Sequence, residues 1–259
     1  MWQKDRHQRI RALLSMLGRV SNERIMAELS VSRETVRRDL LDLEQAGALR
    51  RVHGGAVPSS DEAPIAERAR ANVRAKSAIA RAAIGIVHAG QTVFVDAGTT
   101  TAILADELAK LADLTIVTNS VDVALRLRGT SGPHERVRAM NEVILLGGML
   151  SERAAATTGA TTVLDIRRYR ADLAMLSPVG IDQRHGASNF DRAEAEIARA
   201  MVENADRVAI LADHSKIGQR SRITFCAPRD IDVLVTDRKS GESADLRALK
   251  KTVGDLVLA

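Results

Sequence analysis

The stretch Val31-Ser32-Arg33-Glu34-Thr35-Val36-Arg37-Arg38-Asp39-Leu40 decides how the rest of the chain is read. Taken as a helix, it sets Val36 and Leu40, with Leu43 beyond, at helical spacing along one apolar stripe. Glu34, Arg37 and Arg38 fall on or beside the opposite side, and Arg33 and Thr35 lie on the flanks. Ser32 stands where its hydroxyl accepts an orphan backbone N–H at the helix start. Held from behind by a small core, such a helix offers guanidinium forks and a threonine from its first two turns. Those forks suit phosphate oxygens and guanine edges. This is how the recognition helix of a helix-turn-helix enters the major groove. In isolation the stretch reads first as a solvated amphipathic helix; its neighbours reverse that.

Upstream, Arg6 to Leu17 predicts a helix with Ile10, Leu13, Leu14 and Leu17 on one face, ended by Gly18. Asn22 to Leu29 predicts a second, shorter helix with Ile25, Met26 and Leu29 inward. Ser30-Val31-Ser32 is the turn, with Val31 plugging the small core. The third helix is expected to run to about Ala46, with Gly47 as its stop. Leu49-Arg50-Arg51-Val52 and Ala56-Val57 then flank His53-Gly54-Gly55, which predicts a hairpin. A hairpin after a recognition helix is a wing, from which Arg50 and Arg51 can reach phosphates or the minor groove. His53 has no second ligand-type residue at useful spacing, so it is read as part of the wing turn.

The chain of 259 residues is long enough for a small domain and a larger one, and at 2% aromatic its core must be aliphatic. No apolar run approaches the roughly 18 residues of a membrane span. No apolar signal segment follows Met1-Trp2-Gln3-Lys4, and the single Cys226 excludes an intramolecular disulfide or a multi-cysteine metal site. The expectation is a soluble, cytoplasmic protein without membrane partner, metal or cofactor. Residues 1–57 carry 11 lysines and arginines against 7 acids, a balance of +4 out of +5 for the whole chain. A basic first fifth implies an anionic partner for that part.

Pro58 to Pro64 is rich in turn formers and charge and reads as a linker. The expected division is a DNA-binding domain at 3–58, a linker at 59–72 and a ligand-binding domain at 73–259. A long helical stretch is expected from Ala66, ending in Ile79, Ala83, Ile84 and Val87 at core spacing. Short aliphatic runs follow at 92–95, 115–117, 143–146, 173–176, 208–211 and 233–235. They lack clean alternation and are separated by helical stretches, which predicts a parallel α/β sheet buried on both faces. Ligands of such sheets bind beyond the carboxyl ends of the strands.

Those ends carry Asp96-Ala97-Gly98-Thr99-Thr100-Thr101, Thr118-Asn119-Ser120, Gly147-Gly148 and Asp213-His214-Ser215-Lys216-Ile217-Gly218. A glycine and three threonines before a helix expected at 102–110 offer N–H groups and a favourable dipole to an anion, or equally cap the helix. The GK[ST] of a P-loop is missing. Lys216 alone would read as a surface lysine, but three other polar loops converge with its own. The candidate ligand residues are Asp96, Gly98, Thr99, Thr100, Thr101, Asn119, Gly147, Gly148 and Lys216. Asp191 and Glu194 form a capping-box-like pattern ahead of a helix at 192–204.

The unbroken run S-R-E-T-V-R-R-D-L-L-D-L-E-Q-A-G-A-L-R-R-V-H-G-G-A, residues 32–56, resembles the winged helix of DeoR-type bacterial transcriptional repressors. The loops D-A-G-T-T-T, T-N, G-G and D-H-S-K-I-G are similar to those of the family's effector domain, so the resemblance spans nearly the whole chain. It implies a repressor of a sugar or polyol catabolic operon that leaves double-stranded operator DNA when a phosphorylated metabolite binds. It also implies a homo-oligomer, dimer or tetramer, and an effector domain similar in fold to sugar-phosphate isomerases. V-G-I-D, N-F-D-R-A-E, A-M-V-E-N and A-D-H-S-K-I-G are most similar to the branch that controls glycerol 3-phosphate use, which makes that compound the first candidate effector. The DNA contacts expected are Ser32, Arg33, Thr35, Arg37, Arg38, Arg50 and Arg51.

Three departures from the family pattern stand out: Ser177-Pro178 in place of a glycine-led turn, a long Gly129–Asn141 loop expected to be mobile, and Gly159-Ala160 without the usual acid. The alternative is a sugar-phosphate isomerase or transferase with an extra domain, using Asp96, Asp213 and Lys216 as acids and bases. Fold alone does not separate the two. The winged helix favours the regulator, and no Ser/His/acid set is evident.

Overall fold

A computed structural model describes residues 2–17, 20–46, 48–58, 65–129, 141–151, 153–241 and 243–259. The chain forms two compact units, Met1–Ala63 and Pro64–Ala259. The helix stops expected at Gly18 and Gly47, the linker core 59–64 and the loop 130–140 lie outside the described residues.

The N-terminal unit runs α1 (Gln3–Leu17), β1 (Val20–Ser21), α2 (Asn22–Leu29), α3 (Arg33–Gln45), β2 (Leu49–Val52) and β3 (Gly55–Pro58). Ile10, Leu13, Leu14, Ile25, Leu29, Val36, Leu40, Leu43, Leu49 and Ala56 form one core, with Met26 and Val31 packed against it. Leu17, expected inward, is 48% exposed, because its turn lies at the end of α1 beyond that cluster. Ser21 and Ser32 cap the second and third helices, accepting from Arg24 N and Thr35 N, each at 3.2 Å. Ser30, left-handed at φ 52, ends α2.

Asp39 sits on the apolar stripe of α3, 1% exposed. Arg6 of α1 grips it with a fork of 2.6 and 2.8 Å, and His7 Nε2 lies 3.3 Å away. A buried carboxylate is tolerable only when so paired, and this pair fastens α1 to α3. The wing forms as expected, and β1 adds a third strand in the order β1-β3-β2. Glycine is required at Gly55, where a Cβ would meet the Val20 carbonyl oxygen at 2.2 Å.

In the C-terminal unit the helical stretch is not continuous. It breaks at Ala71-Asn72 into α4 (Ile65–Arg70) and α5 (Val73–Ala83), with Asn72 at φ 52. Part of the expected 59–72 linker is therefore helix, and it belongs to the C-terminal unit. There follow β4 (Thr92–Val95), α6 (Thr99–Leu108), β5 (Thr115–Thr118), α7 (Val121–Arg128), β6 (Glu142–Leu145), β7 (Met149–Leu150), β8 (Thr157–Thr158), α8 (Ala160–Ile166) and β9 (Ala171–Leu176). Next come β10 (Gly180–Asp182), β11 (Gly186–Asn189), α9 (Arg192–Glu203), β12 (Ala205–Leu211), β13 (Ile223–Cys226), β14 (Val233–Thr236), α10 (Ala244–Leu249) and β15 (Asp255–Leu258).

The main sheet is parallel and seven-stranded, in the order β15-β14-β12-β9-β4-β5-β6. The six expected strands are all present; β15, the β7–β8 hairpin and the small antiparallel sheet β10-β11-β13 were not foreseen. Val93 and Val95 bury into a core with Ile79 of α5 and Leu104 and Leu108 of α6. Phe94 between them buries into the other, with Ile197 and Met201 of α9. Apolar burial on both faces is why the strands show no alternation. The chain lays β5 and β6 to one side of β4 and β9, β12, β14 and β15 to the other, so β4 and β9 flank the topological switch point.

Removing one partner of a buried charge pair strands the other. Arg6→Met should destabilise the N-terminal unit by about 3 kcal/mol, seen as faster amide hydrogen exchange across α1 and α3 with the C-terminal unit unaffected. Unchanged protection in α3 would show that Asp39 is satisfied without Arg6.

Candidate functional site

The first candidate surface is the exposed side of α3. Ser32, Arg33, Glu34, Arg37 and Arg38 are exposed, and Thr35 is half-buried. The Ser32 and Thr35 hydroxyls lie 2.9 Å apart, so both belong first to the helix cap. Arg37 forks onto Glu34 with two bonds of 2.8 Å, and Arg38 Nε reaches the same carboxylate at 3.1 Å. These hydrogen bonds draw the Glu34 carboxyl down to about 2. Two arginines expected to be free are thus held on one acid. Arg51 on the wing is tied to Glu44 of α3 through its backbone N–H at 2.8 Å and its Nε at 2.6 Å. Between helix and wing lies an open cleft lined by Arg33, Glu34, Arg37 and Arg51, with Asn22 and Gly55 at its base. Arg50 is exposed but does not line it. Asn22 was not foreseen: its N–H donates to the Gly54 carbonyl at 2.9 Å, and its Oδ1 is buried without a partner.

The second candidate site lies at the switch point, where open α/β sheets bind ligands. Asp96, leaving β4, accepts from the Ser177 N–H that follows β9, at 3.0 Å. Lys216, beyond β12, donates to Ser177 Oγ at 3.0 Å and to the Pro178 carbonyl at 2.5 Å. The Ser177-Pro178 departure is thus the wall joining Asp96 to Lys216. α6 begins at Thr99, three residues before the expected start, with extended Gly98 as its cap. Thr99 is half-buried, while Thr100 and Thr101 are fully buried. The Thr101 hydroxyl is taken up by the Gly98 carbonyl at 3.1 Å, and Thr100 Oγ1 is buried without a partner. What these threonines present to a ligand is backbone N–H at a helix start, which has no intrahelical acceptor.

The paired glycines after β6 stand apart from these. Gly147 and Gly148 follow β6, two strands from β4, or about 10 Å. Gly147 O accepts from Thr162 Oγ1 at 2.7 Å, and a Cβ on Gly148, at φ 144, would meet that hydroxyl at 2.1 Å. Gly148 thus serves the close approach to α8, whereas a Cβ on Gly147 would meet only Asp165 Oδ2, at 4.0 Å. Asn119 is nearer, beyond β5, but its Nδ2 is engaged with the Thr157 carbonyl at 2.9 Å. Its Oδ1 remains buried without a partner.

Burial pushes the Asp96 carboxyl up to about 7 against the pull of the Ser177 N–H and Lys216, and the charge of Glu194 adds to the rise. Glu194 therefore faces this site as well as opening α9, where Asp191 accepts from Ala193 N at 2.8 Å and Glu194 N at 3.1 Å. Lys76 of α5 is the residue the sequence reading missed. It is 3% exposed, and burial with the repulsion of Lys216 holds its ammonium down to about 8. A signal existed: Lys76 falls on the stripe of Ile79, Ala80 and Ala83, an inward place for a charge. Among the described residues no group of three His, Cys, Asp or Glu is placed to hold a metal, and no helix is long and apolar enough to cross a membrane.

Residues 6–62 match the DeoR-like helix-turn-helix domain and residues 71–238 the DeoR C terminal sensor domain. The chain is 36% identical to the HTH-type transcriptional regulator GlpR of Haloferax volcanii over 236 residues, covering 90% of this chain and 89% of that one. It is 34% identical to the glycerol-3-phosphate regulon repressor of Escherichia coli over 239 residues, 92% of each chain. It is 33% identical to the HTH-type transcriptional repressor GlcR of Bacillus subtilis over 241 residues, covering 92% and 90%. Among solved structures, ribose 5-phosphate isomerase A of Methanocaldococcus jannaschii aligns with 56% of this chain and 55% of its own, at 16% identity and a TM-score of 0.38.

Folded Asp96 keeps its proton to about pH 7, whereas a free aspartate loses it near 3.8. Between those values the folded state binds the extra proton, so stability falls as pH rises. Relative to Asp96→Asn, the wild type should lose about 1 kcal/mol per pH unit between roughly pH 4 and 7 and nothing further above. Thermal unfolding of both proteins over that range checks this; parallel curves would mean an ionised carboxylate throughout.

Proposed function

Since the chain belongs to the DeoR family of transcriptional regulators, we propose that it is a repressor of a sugar or polyol catabolic operon, released from its operator by a phosphorylated metabolite. The observation that carries the effector half is the cluster at the switch point. A buried carboxylate, a lysine and the N-terminus of α6 converge there, with the Asp96 carboxyl held near neutrality. The phosphate would lie on the backbone N–H groups of Thr99–Thr101, with Lys216 as a point charge. Asp96 would take a hydroxyl, and Asn119 Oδ1 is the second buried acceptor to hand. Glycerol 3-phosphate is the first candidate, supported by the similarity to the repressor of that name.

On the DNA side, Arg33, Arg37 and Arg38 of α3 and Arg51 of the wing are the proposed contacts, with Arg50, Ser32 and Thr35 beside them. Glu34 gives the arginines a partner that operator phosphates must displace; its carboxylate is then free to accept from a cytosine N4. A single short recognition helix covers too few base pairs for genomic specificity. The protein is therefore proposed to act as a dimer or tetramer joined through its C-terminal unit, in the cytoplasm; light scattering of a monomer at working concentration would contradict the assembly. The alternative, a sugar-phosphate enzyme with an appended DNA-binding domain, requires turnover of pentose or hexose phosphates where the repressor requires only saturable binding.

Operator titrations on a DNA fragment selected by the wild type test both halves. Arg37→Ala and Arg38→Ala should each weaken binding by about 1–3 kcal/mol; wild-type affinity for both would remove α3 from the interface. Saturating glycerol 3-phosphate should weaken operator binding roughly 5- to 150-fold. Lys216→Ala should abolish that response and leave ligand-free DNA binding intact. Release by Lys216→Ala at the wild-type ligand concentration would place the effector elsewhere.

A further inference from the structure

α4 is the first helix of the C-terminal unit, and in sequence it directly follows the chain leaving the N-terminal unit. At six residues it is too short to persist unaided, since isolated helices below about 12 residues are marginal in water. Its last turn is gripped from two sides. Lys76 reaches back from α5 and donates its Nζ to the Arg68 carbonyl at 2.5 Å. Asn72, at the corner between the two helices, donates its Nδ2 to Asp213 Oδ1 at 3.0 Å and to Ser215 Oγ at 3.1 Å. Asn72 has φ 52, a left-handed backbone that only glycine adopts freely. Asparagine tolerates that turn, and here its side chain ties the corner to the 213–216 loop.

That loop carries Lys216. Asp213 is 1% exposed and binds Ser215 through N–H and Oγ, at 3.0 and 2.5 Å, so the loop is stiff between Asn72's anchor and the lysine. Lys76 feels both Lys216 and Asp213 while it holds α4. We propose that the α4–α5 corner, through Asn72 and Lys76, is the relay that couples occupancy of the switch-point site to the DNA-binding unit. The proposal rests on the reading of that site as the effector pocket. An anion beside Lys216 offers the buried Lys76 ammonium a charged partner in place of the Arg68 carbonyl, and any shift of the loop carries the Asn72 anchor with it. Either change loosens the last turn of α4. A ligand acts on DNA affinity only by binding two conformations unequally, and gripped and released α4 are the two.

Asn72→Gly tests this in the full chain, because glycine keeps the left-handed corner and removes only the bonds to the loop. Glycerol 3-phosphate is the probe, followed by calorimetry for ligand binding and by operator titration with and without it. Because the variant releases α4 as ligand would, it should bind ligand at least as tightly as the wild type and bind operator more weakly already without ligand, by up to the roughly 5- to 150-fold of normal coupling, with little further weakening when ligand is added. A wild-type response from Asn72→Gly overturns the relay. Amide exchange of residues 65–71 in the ligand-free protein tests the corner independently of the effector. Asn72→Gly and Lys76→Met should both accelerate it, and unchanged protection in both overturns the proposal. If the wild type itself fails to bind glycerol 3-phosphate, the effector reading loses its first candidate and the exchange result alone decides for or against the corner.

Discussion

The bond from the Ser177 amide to the Asp96 carboxylate crosses the line where the parallel sheet reverses its order. The site depends on it. β4 and β9 are neighbours in the sheet, yet the chain beyond them departs in opposite directions, which opens a crevice at their carboxyl ends. A carboxylate placed there is buried, and its ionisation is opposed. It is held by one amide and by the nearby Lys216, and that lysine is itself positioned by the two residues that hold the amide. Sheet topology thus sets the chemistry: it brings an acid, a lysine and a helix start to one end of the sheet.

The N-terminal unit follows a different logic. Its basic surface is not a row of free guanidinium groups. Arg37 and Arg38 share Glu34, and Arg51 is bound to Glu44. Exposed pairs of this kind add little stability. What they do is fix where the arginines stand, each beside an acid. Inside, the same residue types do the opposite work: Arg6 grips the buried Asp39 and adds a charged link between two helices that already share one apolar core.

Where reading and structure part, the reason is physical. Periodicity marks a residue as inward or outward, but it assigns no partner. Asp39 and Lys76 both fall on inward stripes, but their partners, Arg6 and the Arg68 carbonyl, are placed by folding. The helix expected to run from Ala66 is cut at Asn72, which takes the left-handed turn that asparagine tolerates better than most residues and is anchored there by the loop at 213–215. Of the small strands, β8, β10 and β11 are polar or glycine-containing and β7 is only two residues long, so they lack the apolar run by which the buried strands announce themselves.

By itself the amino-acid order determined the winged helix and the six central strands. Each of these is written locally, in caps, stripes, Gly-Gly turns and strand-end loops. Tertiary structure alone decided which strand-end loops share a site. Gly147-Gly148 and Asp96-Ala97-Gly98 look alike as loops after strands, but the second flanks the switch point and the first lies two strands away, closed against α8. Strand order is a long-range property that no window of sequence carries. It brought Ser177 between Asp96 and Lys216 and set Gly148 against α8.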